Sequence, residues 1–191
     1  MSFWSQLRKS FMAMVFLSIL LGVLYPLFVT GVGRLFFPQQ VEGSLIQNTQ
    51  GQVIGSTLIG QNFQNPKYFF SRPSAASPAY NALASGGSSL SPTSSQLLVS
   101  LKTRAAFLQK EDPDQTQLIP IDLITASGSG LDPDISVASA YYQAPRVVAL
   151  RHLPVATVNT LIAMHVTPRQ FGLLGEPRVN VLNLNQALDA L

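Results

Sequence analysis

The chain has 191 residues, of which 47% are hydrophobic and only 11% charged, with a formal net charge of +3; this suits one domain, or a small domain with an appendage. The basic residues are scattered among nearly as many acidic ones, so the basic patch of a nucleic-acid-binding protein is missing and no nucleic-acid partner is expected. The absence of cysteine excludes disulfides, thiolate metal sites and a cysteine nucleophile.

The first predicted element is a transmembrane helix over residues 10–33, from Ser10 to Gly33. This segment of about 24 residues carries no charge and is long enough to cross a bilayer core of about 30 Å. Gly22 would let another helix approach closely, and Pro26 removes one helical hydrogen bond, which predicts a kink. A cleaved signal peptide and a buried core helix are the alternatives, but the apolar run is long for either.

The charges that flank this helix predict its orientation. Arg8 and Lys9 precede the helix, whereas Arg34 is the only basic residue that follows it before Lys67. Because positive residues favour the cytoplasmic side, residues 1–9 are expected in the cytoplasm and residues 34–191 outside it, as an extracytoplasmic domain.

The segment after the helix begins with a predicted hairpin and a long loop. Residues 44–63 alternate weakly in hydrophobicity around turn-forming residues at 48–51, which indicates a β-hairpin. Residues 68–95 are rich in serine, alanine, glycine and proline, as in a disordered linker. Their several aromatic residues instead favour a long ordered loop, and such loops often carry function.

Helices and short strands alternate over the remaining residues. Ser91 is a candidate cap for a helix to about Lys110 with an apolar face that includes Leu98, and Ser136 for a helix to about residue 150. A further helix is predicted over 154–166, strands over 119–125 and 178–184, and a last helix capped by Asn185. The predicted fold class is α+β: one N-terminal transmembrane helix followed by a small mixed domain.

The loop over residues 122–136 has the composition of an active-site loop. Ser127 and Ser129 are potential nucleophiles, and His152 and His165 are the only histidines. The loop lacks the G-x-S-x-G pattern of a hydrolase, and two distant histidines match no metal site. The stretches SGG (85–87) and SGSG (127–130) resemble phosphate cradles but lack the P-loop lysine. No catalytic residue, metal ligand or bound cofactor is therefore predicted.

A structural role is the favoured interpretation of this loop. Gly128 and Gly130 would supply backbone conformations that other residues avoid, and the nearby hydroxyls would bond to the backbone. A partner-docking surface is the alternative, with Arg146 and Arg151 as contacts to another subunit. The residues assigned to this structural loop or docking surface are Arg72, Ser85, Gly86, Gly87, Ser127, Gly128, Ser129, Gly130, Asp132, Gln143, Arg146 and Arg151.

Six segments, taken in their order along the chain, resemble those of a known protein family. They are GSTLIGQNF (55–63), YFFSRPSA (68–75), YNALASGGS (80–88), TASGSGLDPDIS (125–136), QAPRV (143–147) and VNVLNLNQALD (179–189). Together with the N-terminal helix, they resemble the C subunit of the Kdp potassium-transporting ATPase over nearly the whole chain. Two positions depart from the family: Ser89 stands where asparagine is common, and Val137 where proline is common.

The resemblance implies a non-catalytic subunit of a high-affinity, ATP-driven potassium uptake complex in the bacterial plasma (inner) membrane. The implied partners are a channel-like potassium-binding subunit, the ATP-hydrolysing P-type subunit, a small hydrophobic subunit and the lipid bilayer. ATP would be used by the hydrolysing subunit. The family's C subunit is needed for assembly and is described as a catalytic chaperone that raises the ATP affinity of that subunit.

The predicted topology constrains this chaperone role. A domain outside the cytoplasm cannot touch a cytoplasmic nucleotide, so any effect would have to pass through the membrane helices. Two other classes of protein remain as hypotheses, an anchored extracytoplasmic hydrolase and an anchored sensor module.

Overall fold

A computed structural model of the chain describes residues 2–48 and 50–191. It contains two compact units, the first ending at Leu45 and the second running from Ile46 to Leu191. Position 49, which belongs to the predicted hairpin turn, lies outside the described residues.

The first unit is dominated by one continuous helix from Phe3 to Phe36. It consists of α1 (Phe3–Ile19), a π-helical segment (Leu20–Leu24) and α2 (Tyr25–Phe36), and a short helix α3 (Pro38–Val41) follows. None of the residues of α1, the π-helical segment or α2 is buried. At 1.5 Å per residue, 34 residues extend about 51 Å, well beyond the hydrocarbon thickness of a bilayer. The helix therefore exceeds the predicted residues 10–33 at both ends.

Pro26 lies two residues after the end of the π-helical segment, in the first turn of α2. A proline has no N–H to donate, and its ring crowds the carbonyl four residues earlier, here that of Gly22. The N–H of Tyr25 donates to the carbonyl of Leu20, five residues back, which is the wider π-type hydrogen bond. The irregularity next to Pro26 is therefore a widened turn, and the kink expected there stays a prediction.

The second unit begins with the predicted hairpin. Strands β1 (Leu45–Gln47) and β2 (Val53–Ser56) form a two-stranded sheet. The Asn48 side chain accepts hydrogen bonds from the N–H groups of Gln50 and Gln52, at 3.0 and 2.9 Å, which fixes the turn. The described part confirms a hairpin here, but β2 ends at Ser56, so residues 57–63 of the predicted hairpin form no strand.

A three-stranded antiparallel sheet carries the core of the second unit. Its strands are β3 (Asp134–Ser136), β4 (Val166–Thr167) and β5 (Arg178–Asn180), in the spatial order β3-β5-β4, and Ile135 pairs with Val179. The helices of this unit are α4 (Ser95–Glu111), α5 (Val137–Arg151), α6 (Val155–Met164) and α7 (Val181–Asp189). This mixture of helices and sheets confirms the α+β class.

The buried apolar residues form two clusters. The larger one joins the sheet to α5, α6 and α7 through residues that are almost fully buried: Phe69, Ile135, Ala140, Ala144, Val147, Val158, Ile162, Val179, Val181, Leu184 and Leu188. The smaller one lies around α4 and consists of Phe70, Leu108, Leu123 and Tyr142. Phe69 and Phe70 bring residues 68–94, which contain no helix or strand, into both clusters.

Several predicted elements differ from the structure. Helix α4 begins at Ser95 instead of Ser91, whose side chain bonds to Thr93. Leu98, predicted on the inner face of α4, is 53% exposed. Residues 119–125 form no strand but a short 3₁₀ turn at Ile121–Leu123, because Pro120 lacks a ladder donor.

The last predicted strand is also shorter than expected. It ends at Asn180, whose side chain accepts a hydrogen bond of 3.1 Å from the N–H of Asn183 and so begins α7. Asn185, predicted as the helix cap, instead lies buried inside α7. The prediction at Ser136 is confirmed, since its side chain accepts from the N–H of Ser139 at the start of α5.

Candidate functional site

The candidate site is centred on residues 66–70, here called the clamped segment. This segment, a turn at 66–67 followed by irregular backbone, belongs to no sheet, yet its backbone is bonded by side chains from α5 and α7. Gln143 accepts from the N–H of Phe70 at 2.7 Å and donates to its carbonyl at 3.2 Å. Asn185 does the same for Phe69, at 2.9 and 3.0 Å. Two side-chain amides therefore replace the neighbouring strand that such a segment would otherwise need.

Two arginines on α5 bind the remaining carbonyls of the clamped segment. Arg146 donates to the carbonyls of Pro66 and Tyr68 and to Gln143 Oε1, the latter two at 3.1 and 2.9 Å. Its guanidinium lies 4.0 Å from the ring centroid of Phe70. Burial lowers the pKa of Arg146 to about 10, so the side chain stays charged at neutral pH.

Arg151 holds the outer edge of the same segment. Its Nε donates to the carbonyl of Lys67 at 3.0 Å, and its terminal nitrogens reach Asp189 Oδ1 at 2.6 Å and the carbonyl of Leu188 at 3.2 Å. Tyr68 donates to the other oxygen of Asp189 at 3.0 Å, and this hydrogen bond is the main reason that the pKa of Tyr68 is raised. The contact ties the segment to the end of α7.

The two glycine-rich stretches pack against each other. The N–H of Gly86 and the hydroxyl of Ser85 both donate to the carbonyl of Ser129, at 2.8 and 2.9 Å. A Cβ on Gly87 would lie 3.0 Å from the carbonyl oxygen of Gly128. These backbone groups therefore close one loop on the other, and two of the polar groups expected to cradle a phosphate are already bonded.

The expected special conformation is found at only one of the two loop glycines. Gly130 has φ +68°, and a Cβ there would lie 2.7 Å from the carbonyl oxygen of Gly86. Gly128 has no positive φ, and a Cβ there would meet nothing within 4 Å. The prediction that Gly128 needs to be glycine for its conformation is wrong, whereas the same prediction for Gly130 is confirmed.

Arg72 and Asp132 join the two loops by charge. Arg72 pairs with Asp132 at 2.9 Å, with both side chains about one-quarter exposed. The hydroxyl of Tyr80 donates to the carbonyl of Arg72, and burial raises the pKa of Tyr80 to about 12. The N–H of Gly60 donates to the carbonyl of Leu131 at 2.8 Å. The long loop and residues 122–136 therefore form one continuous surface.

Asp122 organises the start of α5, a role that sequence reasoning missed. Its carboxylate accepts from the N–H and hydroxyl of Ser136, at 2.8 and 3.1 Å, and from the hydroxyl of Ser139 at 2.6 Å. An acid near a helix N-terminus also stabilises the helix dipole. The S-x-x-S spacing after Asp122 was the available signal, but the carboxylate reaches it only because the loop folds back.

The hydrolase candidates are not brought together. Ser127 is only 2% exposed, and its N–H donates to the carbonyl of Pro73 at 3.0 Å. His152 ends α5 in a left-handed conformation (φ 55°), and His165 Nδ1 lies 2.8 Å from the carbonyl of Leu161. Among residues 2–48 and 50–191, no hydrogen bond joins a histidine to a serine, and no group of three or more acidic or histidine side chains is placed to hold a metal ion.

The site residues from the sequence thus fall into two intramolecular sets. Gln143, Arg146 and Arg151 hold the clamped segment, together with Asn185, which the sequence did not identify as a contact. The second set joins the glycine-rich loops: Arg72, Ser85, Gly86, Gly87, Ser127, Gly128, Ser129, Gly130 and Asp132. This arrangement can fix the shape of a surface, since its polar groups are largely bonded within the chain.

Comparison with known proteins gives a consistent result. The family model described as KdpC, the c chain of the K⁺-transporting ATPase, matches residues 7–190. A protein from Methylococcus capsulatus is 55% identical over 175 residues, 91% of this chain and 92% of its own length. One from Acidobacterium capsulatum is 52% identical over 187 residues, 98% of this chain and 99% of its own. Both relatives are named as the KdpC subunit of a potassium-transporting ATPase.

Proposed function

Because this chain belongs to the KdpC family, the c chains of K⁺-transporting ATPases, we propose that it stabilises the assembled high-affinity potassium uptake complex as a single-pass subunit. It is an accessory subunit rather than the catalytic one. The observation that carries the assembly role is the helix from Phe3 to Phe36, in which no residue is buried by the rest of the chain. Such an apolar surface requires lipid or other membrane helices around it.

The proposed partners follow from this surface and from the family. They are the channel-like potassium-binding subunit, the ATP-hydrolysing P-type subunit, the small hydrophobic subunit and the bilayer. In the helix, a Cβ at Gly22 would meet nothing within 4 Å, whereas one at Gly33 would lie 3.0 Å from Val41 Cγ2. The Gly22 surface is thus open to a neighbouring helix, and Gly33 serves the turn into α3.

The proposed topology places residues 1–9 in the cytoplasm, the membrane-spanning part within residues 10–33, and residues 34–191 outside. Support comes from Arg8 and Lys9, which lie on the N-terminal part of α1, against Arg34 alone at the other end. The proposed location is the plasma (inner) membrane of a bacterium.

For the chaperone role, we infer an indirect route. With the proposed topology, the domain lies on the opposite side of the membrane from ATP, so any change in ATP affinity would travel through the helices. The glycine-rich loops support this view, because the N–H of Gly86 is already bonded to Ser129. The π-helical segment before Pro26 is the irregular part of the helix and the place where such a coupling would act first.

The clamped segment and the glycine-rich loops would then give the domain a fixed face for the outer side of the complex. Gln143, Arg146, Arg151 and Arg72 would act by holding that face in shape. Contacts with partners would come from the exposed residues of the same loops, such as Leu83, which is 98% exposed.

Co-purification tests the proposed function. A tagged form of the chain would be extracted in mild detergent from cells that make all four subunits, and we expect the other three to accompany it. Cells without the chain should fail to grow in micromolar potassium. A chain that comes out alone, with growth unaffected by its deletion, would contradict the proposal and favour the sensor hypothesis.

The same cells separate the proposal from the hydrolase hypothesis. Replacement of Ser127, Ser129 and His152 by alanine should leave both the complex and growth intact. A hydrolytic activity that is lost in these variants while the complex persists would favour the enzyme instead.

A further inference from the structure

A cleft of about 450 Å³ lies beside the clamped segment, between residues 62–80 and the C-terminal half of α4. Its apolar walls come from Phe70, Phe107, Leu108 and Leu123. The rings of Phe70 and Phe107 lie 5.6 Å apart, and Phe107 remains 47% exposed. This size is within the range of about 300–1,000 Å³ that is common for small-molecule sites.

Most polar groups on the wall of the cleft are already used within the chain. The hydroxyls of Ser71 and Ser74 donate to the carbonyls of Gln61 and Gly130, at 2.9 and 2.7 Å. The hydroxyl of Tyr80 is bonded to the carbonyl of Arg72. A ligand in the cleft would therefore contact a largely apolar wall with few free hydrogen-bond donors.

Arg104 is the charged side chain on this wall. It lines the cleft and also an adjoining polar pocket of about 240 Å³ that contains Gln96 and Ser100. One terminal nitrogen donates to the carbonyl of Ile124 at 2.9 Å. Across the described residues, no carboxylate lies within salt-bridge distance of Arg104, unlike Arg72, which is paired.

The surroundings of Arg104 favour an external anion. Burial lowers the pKa of Arg104, and no neighbouring charge offsets this effect. A partly desolvated cation is stabilised by a counter-ion, and a guanidinium can bind a carboxylate or a phosphate through two parallel hydrogen bonds. The guanidinium of Arg104 lies where the apolar cleft meets the polar pocket. One amphiphilic ligand could therefore bind in the cleft and pair with this charge.

We propose that this cleft binds an amphiphilic anion, with its apolar tail along the rings of Phe70 and Phe107 and its carboxylate or phosphate head on Arg104. A free fatty acid and a single-chain phospholipid share this chemistry, and a chain with an apolar helix of 34 residues has such molecules close by. The site depends on neither the orientation of the helix nor the other subunits.

Photo-crosslinking tests the site on the full-length chain in nanodiscs of phosphatidylcholine. A long-chain fatty acid with a diazirine near the end of its tail is added and illuminated, and the labelled peptides are identified by mass spectrometry. Labels are expected at residues 62–80 and 104–108. Labels confined to residues 3–36 would mean that the probe enters the bilayer alone, and would overturn the proposal.

Competing ligands identify the head group that the cleft binds. Laurate or dodecyl phosphate should suppress the label, and whichever does so more strongly assigns the head group. Dodecanol should compete at least about tenfold more weakly, because it lacks the charge-assisted hydrogen bond. Equal competition by dodecanol, or suppression by inorganic phosphate alone, would overturn the proposal.

Matched variants test the residues. Arg104→Gln should reduce labelling about tenfold, whereas Lys102→Gln, which removes the same charge from an exposed position of α4, should not. Ala79→Trp should also block labelling, since Ala79 lines the cleft and a larger side chain would fill it while Arg104 stays in place. Unchanged labelling in Ala79→Trp would overturn the proposal even if Arg104→Gln fails to fold.

Discussion

Arg146 concentrates several stabilising contacts in one side chain. It is 4% exposed, and it serves two backbone carbonyls, one side-chain amide and one aromatic ring. Each buried acceptor that loses its donor costs about 1–3 kcal/mol. The planar guanidinium, with five N–H groups, matches this set of acceptors in a way that an ammonium group does not.

Substitution of Arg146 should therefore be costly even when the charge is kept. We expect Arg146→Lys to lower the free energy of unfolding by about 2 kcal/mol and Arg146→Met by more, since two carbonyls would lose their donor. Urea unfolding of the full chain in detergent measures both. Lys110→Met, at an exposed position of α4, is the control, and an Arg146→Lys variant as stable as this control would contradict the role assigned to Arg146.

The partly buried carboxylate of Asp112 predicts that the stability of the domain depends on pH. Its Oδ2 is buried without a hydrogen-bond partner, and burial raises its pKa from the ordinary 3.8, against the opposing effect of Arg146. The folded state therefore binds the carboxyl proton of Asp112 more tightly than the unfolded state does. As a result, the contribution of Asp112 to stability falls as the pH rises from 3.8 through the raised pKa. Above that range the cost of the charged carboxylate is constant.

Asp112→Asn should stabilise the domain at neutral pH, and the gain should vanish below about pH 3.8, where wild-type Asp112 is protonated in both states. Thermal unfolding between pH 3 and pH 8 measures this. Asp114→Asn removes the same charge at an exposed position and should show no such profile. A gain that persists unchanged at pH 3 would mean that the carboxylate is not the cause.

At the scale of elements, the long loop behaves as an integral part of the core. The clamped segment lacks strand partners, but side chains from α5 and α7 satisfy its backbone, and Phe69 is fully buried. The loop over 122–136 closes on the long loop through hydrogen bonds at Gly86 and Ser127, and on the residues before it through Gly60. Loops bonded in this way should unfold together with the helices rather than before them.

Close backbone approach makes Gly60 sensitive to substitution. A Cβ on Gly60 would lie 2.3 Å from the carbonyl oxygen of Asp132, so Gly60→Ala must push two backbone segments apart. We expect a loss of about 1–3 kcal/mol in the free energy of unfolding. Gly128→Ala is the matched control, because its Cβ would meet nothing, and the two variants should differ clearly in urea unfolding. Equal stability would contradict the observed packing.

The sequence predicted those elements whose signals are local. The apolar run of α1 and α2, the turn at Asn48 and the cap at Ser136 each depend on residues within a few positions of one another. Asn185 could not be predicted in the same way, because its partner Phe69 is 116 residues away. The alternating pattern VNVLNL also favours a strand. In the structure a helix begins there, because the side chain of Asn180 caps it.

At the scale of the whole molecule, the N-terminal helix is longer than its uncharged apolar run. Residues 10–33 are enough to cross the hydrocarbon, yet the helix continues to Phe36 and begins at Phe3. With the proposed membrane-spanning part at residues 10–33, Arg8 and Lys9 would lie on a helical extension within reach of lipid head groups.

Cysteine labelling tests the proposed topology, and the absence of native cysteine makes it simple. Leu83→Cys and Ser5→Cys would each carry the only thiol, both at exposed positions. A membrane-impermeant maleimide should label Leu83→Cys in right-side-out vesicles and Ser5→Cys in inside-out vesicles. Labelling after denaturation serves as the control, and the reverse pattern would refute the proposed orientation.

The bond between Asn185 and Phe69 also sets an order of events during translation. A nascent chain that has emerged only as far as α6 contains the clamped segment but neither Asn185 nor the Asp189 that holds Tyr68. The backbone groups of Phe69 must stay hydrated until α7 leaves the ribosome, whereas the partners of the other clamped residues lie on α5. The apolar helix is synthesised first, so it can be inserted into lipid well before the domain behind it is able to close.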